Sequence, residues 1–103
     1  MNNTKKTIAI IGGDNKRTIE KLAKREGVNV LHHDGHVKGG GNRTLYKKYV
    51  RKADVVIILQ GACCHESMYA MKDLCNVYSK PIDYQEGRGI TGAFSKAVTL
   101  LSA

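Results

Sequence analysis

No apolar run in this 103-residue chain approaches the length needed to cross a membrane, and nothing resembling a secretory signal precedes its first strand-like segment. A membrane span and a secreted disulfide framework are therefore not expected, and cytoplasmic location is the default. Cysteine is scarce and odd in number, three in all, with two of them adjacent at Cys63 and Cys64. That usage suits a strained or reactive thiol pair better than structural bridges. Acidic residues are also few, nine against seventeen lysines and arginines. The resulting formal charge of +8 implies attraction to something acidic: nucleic acid, a nucleotide, an acidic protein or a cofactor bearing carboxylates. No linker-like stretch or internal repeat interrupts the chain, so a single domain over residues 1–103 is expected.

What is present alternates between strand and helix. Residues 7–11 read as a strand broken by Gly12 and Gly13. A helix comes next with Ile19, Leu22 and Ala23 on one face, ending at Gly27. A second strand is expected over 28–32. Past the glycines at 39–41, a second helix turns Leu45, Tyr46, Tyr49, Val50 and Ala53 inward and Lys47, Lys48, Arg51 and Lys52 outward. A third strand is expected over 54–60. A third helix starting near His65 carries Met68, Met71, Leu74, Cys75 and Tyr78 on its inner side until Pro81. A short strand over 82–84 and a last helix with Ala93, Phe94, Ala97, Val98 and Leu101 complete the pattern. Wholly apolar strands between amphipathic helices predict an α/β fold, a small doubly wound, Rossmann-like parallel sheet of about four strands with helices on both faces. Right-handed crossovers favour strand order 2-1-3-4, with the switch point between the first and third strands.

Two reactive clusters stand just past strand ends: His32, His33, Asp34, Gly35 and His36 after the second strand, and Cys63, Cys64, His65 and Glu66 after the third. Residues just past the carboxyl ends of parallel strands converge on one crevice. Imidazoles, thiols and a carboxylate gathered there point first to a metal or a metal-bearing cofactor. Strand alternation lets only one of His32 and His33 face a given pocket. His65 is the strongest single candidate, standing at the start of the third helix with Cys63 and Cys64 before it and Met68 one turn on. Adjacent cysteines lack the two spaced ligand pairs of structural zinc. A cysteine nucleophile with His65 as base is an alternative, because a helix N-terminus favours the thiolate. Gly12 and Gly13 occupy the place of a phosphate-binding turn without G-x-G-x-x-G spacing or a Walker ending, so a tight turn is the simpler reading. Cys75, Met68, Met71 and Tyr78 read first as core.

At these residues the chain resembles a small bacterial family known as domain of unknown function 2325. The carriers are Ile11-Gly12-Gly13, His32-His33-Asp34-Gly35, Ala53-Asp54-Val55-Val56, Cys64-His65-Glu66, Met71-Lys72-Asp73-Leu74-Cys75, Lys80-Pro81-Ile82, Gly89-Ile90 and Phe94, in order along nearly the whole length. The resemblance implies a Rossmann-like fold and, for characterised members, b-type haem with a histidine axial ligand, often in dimers. The family's Cys-Val-Ser-His-type segment reads Ala62-Cys63-Cys64-His65 here. Its histidine is His65, whereas its cysteine position holds alanine.

The reading that results is a haem-binding protein used for haem or redox sensing, gas binding, storage or haem transfer, without enzymatic turnover of its own. His65 is the iron ligand; Cys63, Cys64, Met68, Gly12, Gly13, His33, His36 and Arg88 complete the cofactor-binding set, His33 or His36 as a sixth ligand or a hydrogen-bond donor to a bound gas. Lysine or arginine would meet the haem propionates. Expected partners are haem b with its iron, a second copy of the chain as a homodimer, and a redox or haem-transfer protein. The alternatives are a nucleotide- or nucleic-acid-binding module using the basic second helix and the Gly12-Gly13 turn, and a Cys63/Cys64 redox switch.

Overall fold

A computed structural model describes residues 6–13, 16–33, 43–86 and 89–102. Strands β1 (Thr7–Ile11), β2 (Asn29–His33), β3 (Val55–Leu59) and β4 (Ile82–Gln85) alternate with helices α1 (Lys16–Glu26), α2 (Arg43–Lys52), α3 (His65–Tyr78) and α4 (Ile90–Ser102). The sheet is wholly parallel in the order β2-β1-β3-β4, as the alternation predicts.

Each helix turns its apolar stripe to one face of this sheet, and that division explains the uninterrupted apolar runs. Ile8, Ile10, Val55 and Ile57 meet Ile19 and Leu22 of α1 and Ala93 and Phe94 of α4 on one face. Ala9, Ile11, Val56 and Ile58 meet Tyr46 and Val50 of α2 and Met71 and Leu74 of α3 on the other. All five residues of β3 are buried because both of their neighbours in space are apolar layers. Such burial is worth roughly 1.5–3 kcal/mol for each large aliphatic side chain relative to exposure.

Element ends differ by a residue from the sequence reading, for reasons visible in the backbone. Gly27, at φ +68°, closes α1: its N–H donates to Lys24 O and that of Val28 to Ala23 O. Val28 is thus spent on the helix cap, and β2 starts at Asn29, whose N–H donates to Lys6 O. At the far end of β3, Gln60–Ala62 curls into a 3-10 turn instead of prolonging the strand. Helix α3 ends through the same cap as α1, with Ser79 at φ 55° in the place of glycine and Lys80 N–H donating to Cys75 O. Helix termination therefore precedes Pro81. No helix among the described residues is long and apolar enough to cross a membrane.

Candidate cofactor site

The strand order places β1 between β2 and β3, so the segments leaving β2 and β3 flank the carboxyl end of β1. That end is closed by Gly12 and Gly13, both at positive φ (121° and 79°). Gly12 N–H donates to His33 O at 2.7 Å and Gly13 N–H to Ala62 O at 3.3 Å, stitching β1 to the ends of both neighbouring strands. A Cβ on Gly12 would stand 3.0 Å from Leu59 Cβ and 3.1 Å from Ala62 O, so packing as well as φ demands glycine. These two amides are committed to protein carbonyls, which makes the turn a clamp between strands.

The two histidines at the end of β2 separate as strand alternation requires. His32 pairs with Ile10 in register and sets its Nε2 3.2 Å from Gly12 O. His33 pairs with Ile11 and faces the α2–α3 side. Its ring makes edge contacts with Tyr46 and Tyr49, at centroid distances of 4.8 and 5.9 Å. Tyr49 also donates its hydroxyl to His32 O at 3.1 Å.

From His33 a polar chain runs through the core to the second cluster. His33 Nδ1 lies 3.3 Å from Tyr46 Oη, which lies 2.6 Å from Ser67 Oγ, and the Cys64 thiol donates to that same Ser67 oxygen at 3.1 Å. Tyr46 and Ser67 are fully buried, so each hydroxyl needs its partner. Helical spacing marks the tyrosine only for its apolar ring, and Ser67 carries no sequence signal at all.

Cys64 is the residue before α3 and leaves the helix without a side-chain cap to the backbone, because its thiol serves Ser67 instead. Cys63 is buried, its Sγ 3.5 Å from Cys64 O. Burial, reinforced by the neighbouring Cys64, pushes the Cys63 thiol up to about 11, which holds it protonated at neutral pH. Burial likewise lifts Cys75 to about 11, against a partial opposing pull from the Lys80 charge. Any thiolate chemistry at the paired cysteines therefore falls to Cys64.

His65 opens α3 and is exposed. Among the described residues its ring has no hydrogen-bond partner; its aromatic neighbour is Tyr69, one turn on, at 6.3 Å between centroids. Tyr69 is 67% exposed, an unusual position for a large ring. Met68 is half-buried and packs against the core cluster under α2 and α3. No group of three or more His, Cys, Asp or Glu side chains gathers as a metal cage among the described residues. His36 and Arg88, expected from the sequence as site residues, and Asp34 of the first cluster lie outside the described residues.

Known proteins resemble this chain over most of its length. The family described as "Uncharacterized protein conserved in bacteria (DUF2325)" matches residues 7–100. A UPF0751 protein from Bacillus anthracis is 39% identical over 97 residues, covering 94% of this chain and 97% of its own length. One from Bacillus cereus is 40% identical over 87 residues, covering 84% and 87% respectively. Another, from Desulfitobacterium hafniense, is 33% identical over 89 residues, covering 85% and 87%. No solved structure matches.

Proposed function

This chain belongs to the bacterial DUF2325 family, and we propose that it is a haem-binding α/β protein whose iron ligand is His65, acting in haem or redox sensing, gas binding, storage or haem transfer. The observation that supports this most is the state of His65 itself. Its imidazole is exposed at the start of α3, has no hydrogen-bond partner among the described residues, and stands beside an exposed aromatic ring.

The donor set fits haem. A bare ion such as zinc is held by three or four protein donors, whereas a porphyrin brings four nitrogens of its own and asks the protein for one axial imidazole. When bound, haem supplies an iron centre for electron transfer or for a diatomic gas. The protein's own contributions are separable. His65 provides the lone pair, and Tyr69 offers an apolar face beside it. His33 is fixed through Tyr46 and Ser67, which suits a group that stabilises a bound ligand or serves as a sixth donor. A homodimer and a haem-accepting or redox protein partner belong to the same proposal, as does the absence of catalytic turnover.

Titration of the protein with hemin tests the assignment. A sharpened Soret band at near-equimolar hemin is expected for wild type and its loss for His65→Ala; the same spectrum in both would refute it.

A further inference from the structure

The exposed side of α3 carries more than His65. Residues 65, 69, 72 and 76 fall at 0°, about 40°, −20° and 20° around the helix at 100° per residue, so they form one stripe. At 1.5 Å per residue, Lys72 lies roughly 10 Å along the axis from His65, with Tyr69 between them. This stripe runs into a cleft of about 510 Å3 between α3 and the start of β4, lined by Tyr69, Lys72, Asn76, Lys80 and Ile82 among others. The volume is in the range of small-molecule sites.

The charge of the cleft is built on two lysines. Neither Lys72 nor Lys80 has an ion-pair partner among the described residues; the ion pairs there are Lys16–Glu20 and Arg25–Glu26, both outside the cleft. Lys80 and Cys75 both line the cleft. Among the described residues Asp73 is the one acid lining the cleft, which leaves an excess of one positive charge there. An apolar ring with two cations on flexible stems beyond it in the same lining matches a planar apolar ligand that carries acidic groups on one edge.

We propose that Tyr69 supports the apolar face, and Lys72 and Lys80 receive the carboxylates, of the tetrapyrrole that His65 ligates. The proposal rests on the haem reading above and gives it a direction: the ligand extends from His65 along α3 toward β4, with its propionate edge over the cleft.

The test compares hemin with hemin dimethyl ester, whose carboxylates are blocked, and repeats the pair with metal-free protoporphyrin IX and its dimethyl ester, which need no axial ligand. Wild type, His65→Ala and the double variant Lys72→Gln/Lys80→Gln, whose lysines are exposed and half-buried respectively, are titrated by absorbance and by porphyrin fluorescence. Wild type is expected to prefer each free acid over its ester by about tenfold, two solvent-accessible charge pairs being worth about that much. The double variant loses this preference while keeping the Soret position of the hemin complex, and His65→Ala keeps the preference for the metal-free acid. Equal preference in wild type and double variant overturns the proposal. Failure of wild type to bind hemin, with the acid preference for protoporphyrin intact, overturns the His65 reading instead. Failure to bind any of the four probes overturns both.

Discussion

The hydroxyl of Tyr46 on α2 lies 2.6 Å from that of Ser67 on α3, both fully buried, and this contact joins the histidine cluster after β2 to the cysteine cluster after β3. Removing either hydroxyl takes from the other a 2.6 Å hydrogen bond, in a site closed to water. Tyr46→Phe and Ser67→Ala are each expected to cost about 1–2 kcal/mol. Their double variant should cost less than the sum, by about 1 kcal/mol, because the second change removes the group that the first left short of a partner. Urea unfolding of the four proteins measures the cycle; strict additivity would mean that the contact contributes nothing.

Thiol reactivity should divide sharply. Cys64 is half-exposed, whereas Cys63 and Cys75 are buried with thiols raised to about 11, so alkylation at pH 8 modifies Cys64 first. The same shifts carry a pH dependence of stability. In the unfolded chain each thiol ionises near its ordinary value of 9.0, and in the folded chain near 11. Above pH 9 the unfolded state sheds protons that the folded state keeps. Stability from this source is complete below pH 9 and is lost as the pH climbs to about 11, by up to about 2–3 kcal/mol for each thiol. Unfolding midpoints of wild type at pH 8, 9 and 10 should therefore fall more steeply than those of a Cys63→Ala/Cys75→Ala variant.

The turns call for two backbone substitutions of opposite sign. Gly12→Ala meets both an unfavourable φ and a 3.0 Å approach to Leu59 Cβ, and should destabilise by about 2–4 kcal/mol. Ser79→Gly relieves a left-handed residue in the α3 cap and should stabilise by up to about 1 kcal/mol. Thermal unfolding of both variants checks the pair.

Nucleic-acid affinity should be weak and non-selective. The exposed Lys47, Lys48, Arg51 and Lys52 line α2, but Tyr46 is buried and Tyr49 is tied to His32 O, leaving no ring on that face for base stacking. Binding in a filter or anisotropy assay should collapse between low and physiological salt. Tight, sequence-selective binding at physiological salt would favour the nucleic-acid reading over haem.

The frame is legible in the sequence because its signals are local. Apolar strands, amphipathic helices and short connections lead to the parallel sheet, the order β2-β1-β3-β4 and the start of α3 at His65. Burial of Ile19, Leu22 and Ala23, or of Met71, Leu74 and Cys75, comes from helical spacing. The link between the two clusters is not legible. Tyr46 and Ser67 lie 21 residues apart on different helices, and only the packing of α2 against α3 brings their hydroxyls together. Tyr69 is equally hidden: its side of α3 is set by which stripe the sheet claims, and an exposed tyrosine leaves no periodic trace. The one-residue shifts at β2 and β3 arise from a helix cap and a 3-10 turn, features of backbone hydrogen bonding that side-chain patterns do not record.

Ligation of haem iron by the imidazole of His65 is open to chemical rescue. His65→Gly protein is mixed with hemin, and the absorption spectrum is recorded without and with added imidazole. The spectrum of the wild-type complex is expected to be lost in the variant and to return as free imidazole takes the place of the missing side chain. A His65→Gly complex with the wild-type spectrum in the absence of imidazole would contradict ligation by His65.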